Sequence, residues 1–102
     1  MTRGDVWLAA IGRKRRPVLV LTRTEVIDVR VLVTVAEITT VRRGLATEID
    51  FDHAEAGVDR ESVINSDGLH TVSQTTLTTR VGKVEEETME RVCAAISYGF
   101  GC

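Results

Sequence analysis

The sequence predicts an α+β, mainly β chain: a small, strongly bent antiparallel barrel with a C-terminal α-helix packed against it. Three observations carry this. Short β-branched runs recur between glycine-containing and polar breaks along the first four-fifths of the chain. Within them Val29, Val31, Val33 and Val35 alternate with Arg30, Leu32, Thr34 and Ala36, the period of a strand with one covered face. Only the end has helical spacing, with Met89, Val92, Cys93 and Ile96 at i, i+3, i+4 and i+7.

Asp5 to Ala10 reads as the first strand, after a turn at Gly4 and before one at Gly12. Arg13 to Arg16 form a cationic loop, and Pro17 to Thr22 a core strand, since proline is tolerated at a first strand position. Arg23 to Asp28 is a short connection. The valine alternation from Val29 is the next strand, ended by Ile38-Thr39-Thr40. Val41 to Leu45 is a loop in which Gly44 is free to take positive φ. Glu48 to Phe51 is a half-buried strand, and Asp52 to Arg60 a mobile connection. Ser62 to Asn65 and Leu69 to Val72 are two strands separated by Ser66-Asp67-Gly68. Thr75 to Thr79 is a turn, and Val81 to Val84 the last extended piece. The helix then starts at Glu85, with Val84 and Met89 placed as a hydrophobic staple and acids crowding its positive end. Gly99 is the expected C-terminal stop.

A length of 102 residues suits one domain, 1–102, with one core. An apolar fraction of 43% with 27% charged residues is that of an ordinary globular chain. No apolar run approaches the roughly 18 residues of a membrane span. Cys93 and Cys102 have neither CxxC spacing nor a framework of pairs, which fits a reducing cytoplasm and predicts no metal site. The net charge of −2 conceals an asymmetry. Residues 1–47 hold nine Lys and Arg against four acids, and residues 48–102 hold four against eleven. One basic face is compatible with that total, so a polyanionic partner is not excluded.

The stretch Arg13-Lys14-Arg15-Arg16-Pro17 is where chemistry is expected. Proline pushes Arg16 into extended backbone at the mouth of the core strand. A fixed guanidinium grips a phosphodiester, and neighbouring cations gather the rest of the backbone. A solvated basic turn is the plainer alternative.

Three blocks, Arg3-Gly4-Asp5-Val6-Trp7, Arg16-Pro17-Val18-Leu19-Val20-Leu21 and Val35-Ala36-Glu37-Ile38-Thr39-Thr40, resemble the MazF/PemK/Kid family of toxin endoribonucleases. Gly44 to Ile49, Asp59 to Asn65 and Thr88-Met89 agree in the same order, so the resemblance covers essentially the whole chain. It implies an SH3-like barrel of the Kid/CcdB type and a homodimer. It also implies cleavage of single-stranded RNA without metal or other cofactor, to a 2′,3′-cyclic phosphate and a 5′-hydroxyl. The implied partner is a cognate antitoxin whose C-terminal segment lies across the RNA groove. Arg16 and Thr39 match the family's catalytic arginine and threonine. Lys14, Arg15, Thr40, Arg42, Arg43, Asp67 and His70 are the expected RNA contacts. A non-enzymatic, CcdB-like topoisomerase-binding toxin of the same fold is the alternative, and it would need no arginine–threonine pair.

The chain departs from the family pattern at three places. The first loop is shortened to Ala9–Arg15. Glu37 stands where proline is usual, and reads as a charge protecting an edge strand or, alternatively, as a proton acceptor. The acid-plus-glutamine pair becomes Asp67-Gly68. His53 reads as a solvated surface residue and His70 as lying near the groove. Trp7 reads as either a base-stacking platform or a wall of the barrel.

Overall fold

A computed structural model describes residues 1–102. Strands β1 (Asp5–Ile11), β2 (Lys14–Val20), β3 (Leu32–Thr39), β4 (Glu48–Asp50), β5 (Val63–Ser73) and β6 (Leu77–Lys83) form one antiparallel sheet in the order β4-β5-β3-β2-β1-β6. A short helix α1 (Thr24–Ile27) joins β2 to β3, and helix α2 (Glu86–Phe100) closes the chain. No helix is long and apolar enough to cross a membrane.

The unbroken apolar run of β2 has a simple cause, because the strand is covered on both faces. Leu19 packs with Val6, Ala36, Ile38 and Ile64 beneath Met89 and Val92 of α2. Val18 and Val20 pack on the other side with Ala9, Val33, Val35, Leu77 and Ile27 of α1. The two outer strands β4 and β6 do not pair with each other. The segment after β4 covers the gap instead. Ala56 and Val58 are buried there, and an added Cβ at Gly57 or Gly82 would fall on the carbonyl of Val81 or Ala56 respectively.

Several expected elements are corrected. The cations before Pro17 do not form a loop, because Ile11 pairs with Lys14 across a two-residue turn, Gly12-Arg13, with Gly12 at φ +62°. Lys14, Arg15 and Arg16 are therefore strand residues facing Ile11, Ala10 and Ala9. Proline lies inside β2 without cost. The Leu21 N–H donates to Thr34 O, so odd-numbered residues turn their backbone polar groups toward β3, and pairing with β3 stops at Val18.

The 23–28 connection holds α1. The valine strand starts only at Leu32, leaving Val29 and Val31 exposed. The two strands expected around residues 62–72 are one, β5. Its pairing with β3 jumps from Ala36↔Leu69 to Glu37↔Asn65, so Ser66, Asp67 and Gly68 form a bulge. The expected turn at 75–79 is a 3₁₀ turn, Gln74–Thr76, followed by the full strand β6. The 52–60 segment is folded by its own hydrogen bonds and buries Ala56 and Val58, although most of its other residues stay exposed. The Val58 N–H donates to His53 O, and the half-buried His53 ring contacts Val58 O through Nδ1 at 2.7 Å, which also removes His53 from the surface reading.

Helix α2 begins after Glu85 as expected and runs through Gly99 to Phe100. Gly101, at φ +72°, and Cys102 donate to Tyr98 O and Ser97 O in a Schellman motif. Its buried face is Thr88, Met89, Val92 and Ala95, while Cys93 is exposed, with Sγ 2.8 Å from Arg3 Nη2.

Candidate active site

The β2–β3 ladder runs Val20↔Val35, Leu19↔Ala36, Val18↔Glu37 and then opens. Continuing that register by two positions sets Arg16 across from Thr39, on the same face of the diverging strands. The opening is a cleft of about 520 Å³ lined by Arg15, Arg16, Pro17, Ile38, Thr39 and Thr40. The Gly57–Arg60 segment and Ser62 form its far wall. Small residues, Ala9 and Ala10, face the two arginines on β1, so the cationic stems meet no bulky neighbour there.

Arg16 also borders a second cleft, of about 420 Å³, with Arg13, Lys14, Glu37 and His70. None of Arg13, Lys14, Arg15, Arg16 and Arg60 is engaged in an ion pair within the chain. Thr39 Oγ1 accepts from the Val41 N–H at 3.1 Å, which leaves the hydroxyl proton free to be donated outward. The cleft thus brings the cations Arg15, Arg16 and Arg60 and the Thr39 hydroxyl to one opening, with Arg13 and Lys14 in the neighbouring one.

The remaining expected contacts divide. Lys14, Arg15, Thr40 and His70 line one or the other cleft. Arg42 is taken up by Asp50 at 2.6 Å, and that hydrogen bond raises its already high pKa. Arg43 lines neither cleft. The Arg43 and Leu45 N–H groups donate to the Glu48 carboxylate, and partial burial of that carboxylate is outweighed by these bonds, which hold its pKa below the usual range.

Asp67 also lies away from both clefts. It accepts from Thr47 Oγ1 at 2.6 Å in the β5 bulge. Trp7 is a wall residue packed on the second core cluster, its indole N–H reaching Asp5 Oδ2 at 3.4 Å. Glu37 does not guard an edge: β3 lies between β2 and β5, and Glu37 is paired on both sides. No three His, Cys, Asp or Glu side chains converge as metal ligands.

Arg60, Asp59 and Ser62 line the cleft, whereas the sequence places them in a mobile connection or a plain strand. The available signal was an arginine set among acids directly before a buried strand.

Comparison with known proteins identifies the family and the fold. Residues 2–100 match the family described as PemK-like, MazF-like toxin of type II toxin-antitoxin system. Relatives include the probable endoribonuclease MazF2 of Mycobacterium tuberculosis, 35% identical over 102 residues and covering 100% of both chains. The probable endoribonuclease MazF5 of the same species is 36% identical, over 98% of this chain and 93% of its own. Among solved structures, the M. tuberculosis toxin MazF-mt6 superposes with a TM-score of 0.88 at 35% identity, covering 95% of this chain and 96% of its own. A mycobacterial endoribonuclease in complex with its cognate antitoxin superposes with a TM-score of 0.87 over 99% of this chain and 95% of its own. At 22% identity it speaks for the fold alone.

Proposed function

The chain belongs to the PemK-like, MazF-like toxin family of type II toxin–antitoxin systems, and from that premise we propose that it cleaves single-stranded RNA in the cleft between Arg16 and Thr39. It is a toxin endoribonuclease, as its relatives are named. The observation that carries the site is the opening of the β2–β3 ladder, which puts Arg16 and Thr39 at facing positions with Arg15 and Arg60 in the same cleft.

In the reaction the ribose 2′-hydroxyl attacks the adjacent phosphorus and the 5′-oxygen leaves. The products are a 2′,3′-cyclic phosphate and a 5′-hydroxyl. Charge builds on the non-bridging oxygens in the transition state, where Arg16 donates two parallel hydrogen bonds and the Thr39 hydroxyl another. Arg13, Lys14, Arg15 and Arg60 hold the flanking phosphates.

The partner of this chain is a cognate antitoxin whose C-terminal segment lies across the same groove, and the working location is the cytoplasm. The toxin acts as a homodimer. The exposed Val29, Val31 and Leu32, together with Tyr98 and Phe100, are apolar surface available for such pairing.

The test is incubation of the purified protein with a long unstructured RNA in chelator-containing buffer. Cut fragments are expected from the wild type. Arg16→Ala should lose about 10²- to 10³-fold in rate while keeping its circular dichroism spectrum. Full activity of Arg16→Ala would refute the site. Intact RNA with the wild type would favour a binding toxin of the same fold.

A further inference from the structure

Arginine and threonine stabilise charge but accept no proton at ordinary pH, so the attacking 2′-hydroxyl needs another base. The second cleft beside Arg16 supplies one. Glu37 is a carboxylate on an interior strand, and Gly68 makes room for it: a Cβ at residue 68 would fall on Glu37 Oε2. The β5 bulge brings His70 back into pairing opposite Val35, two residues from Glu37, with His70 Nε2 at 3.4 Å from Glu37 Oε2. Strand alternation puts Glu37, Thr39 and, through the continued register, Arg16 on one face with His70. His70 Nδ1 has no partner in the protein, and the side chain is 47% exposed. An ion pair this exposed adds little to stability, so stability alone does not explain a carboxylate and a matching glycine here.

We propose that His70 is the proton acceptor for RNA cleavage and that Glu37 is its positioning residue. The proposal rests on the reading of Arg16 and Thr39 as the phosphate site. Glu37 holds the Nε2–H tautomer, which leaves Nδ1 as the acceptor. Nδ1 takes the 2′-hydroxyl proton as the O2′–P bond forms. The P–O5′ bond breaks with its electron pair on O5′, which takes a proton from water. The imidazolium then returns its proton to solvent, so no other reactant is consumed. The charged groups facing His70 are Glu37 from β3 and Arg13, Lys14 and Arg16 from the β1–β2 hairpin; β5 contributes none to that cleft.

The experiment is a pH–rate profile with a long unstructured RNA in chelator-containing buffer, comparing wild type, Arg16→Ala, His70→Gln, His70→Ala and Glu37→Gln. Binding of a non-cleavable 2′-O-methyl RNA and the urea midpoint are measured alongside. The wild-type rate is expected to rise with pH along a one-proton limb. His70→Gln should lose that limb and about 10²-fold in rate, with binding within about twofold. Added imidazole should restore part of the activity of His70→Ala. Glu37→Gln should keep the limb but move its midpoint to lower pH, an effect that a merely structural carboxylate would not have. A His70→Gln enzyme that cuts at the wild-type rate with the wild-type limb overturns the proposal; if Arg16→Ala is dead in the same assay, the phosphate site still stands. Absence of any cut by the wild type removes both.

Discussion

Asp5 shows how one carboxylate couples the core to pH. It is 3% exposed and receives the Thr2 N–H at 2.9 Å, the Trp7 indole and Arg80 at 3.2 Å. Burial pushes its pKa up, but the bonds from Thr2, Trp7 and Arg80 outweigh it and leave the group below its ordinary 3.8. A depressed folded value means stability that is fully present above the unfolded pKa and lost as pH falls through the folded one. Urea unfolding of the wild type should therefore weaken below about pH 4, and Asp5→Asn should flatten that part of the profile. Asp5→Ala should cost about 1–3 kcal/mol at pH 7, because it takes the acceptor from four donors, the Thr2 hydroxyl included. At this scale the extended backbone of Arg16 was legible, since proline excludes the helical region for the residue before it, but its place inside β2 was not. Arg60 and the His53 contact were not. Each depends on the 52–60 segment folding against β6, a long-range contact that no local pattern encodes.

That segment also sets the clearest element-scale test. Gly57 and Gly82 let two backbones touch, and Gly57 is also at φ +84°. Gly82→Ala is expected to destabilise by about 1–3 kcal/mol through overpacking. It should also weaken RNA binding, because the segment it displaces carries Gly57, Val58, Asp59 and Arg60 into the cleft. Gly99→Ala is the contrasting case. Its Cβ would meet Asp67 and Thr47 at an ordinary 3.6 Å inside α2, so alanine's better helix propensity should make it neutral or stabilising by up to about 1 kcal/mol. Urea midpoints of the two variants should move in opposite directions or differ by at least the Gly82 cost. The glycines explain the element errors too. Gly68 reads locally as a break between two strands, whereas the sheet absorbs it as a bulge. Gly99 reads as a stop, whereas the helix runs on to a second glycine. α2 was legible because its burial repeats at helical spacing, β1 and the apolar half of β2 because each is a short continuous apolar run, and β6 was not because only Leu77 of its residues is buried.

Over the whole molecule the opposite charges are sorted in space as they are in sequence. The clefts around Arg16 gather Arg13, Lys14, Arg15 and Arg60 against Asp59 and Glu37. The first turn of α2 borders a different hollow, where Asp52, Glu55, Glu85 and Glu87 outnumber Lys83 and Arg91. A chain of net charge −2 therefore still presents one unpaired cationic surface, and that surface should govern affinity for RNA. If about four of the five cations each hold a phosphate, the logarithm of affinity for non-cleavable 2′-O-methyl RNA should fall with the logarithm of salt at a slope near −3, about 50-fold between 50 and 200 mM. Arg15→Ala should make the slope shallower by about 0.7. Arg42→Ala should leave it unchanged, because Asp50 already holds that guanidinium. A slope near zero, or one that responds to Arg42 and not to Arg15, would move the RNA off the open end of the β2–β3 ladder and onto the 41–45 loop.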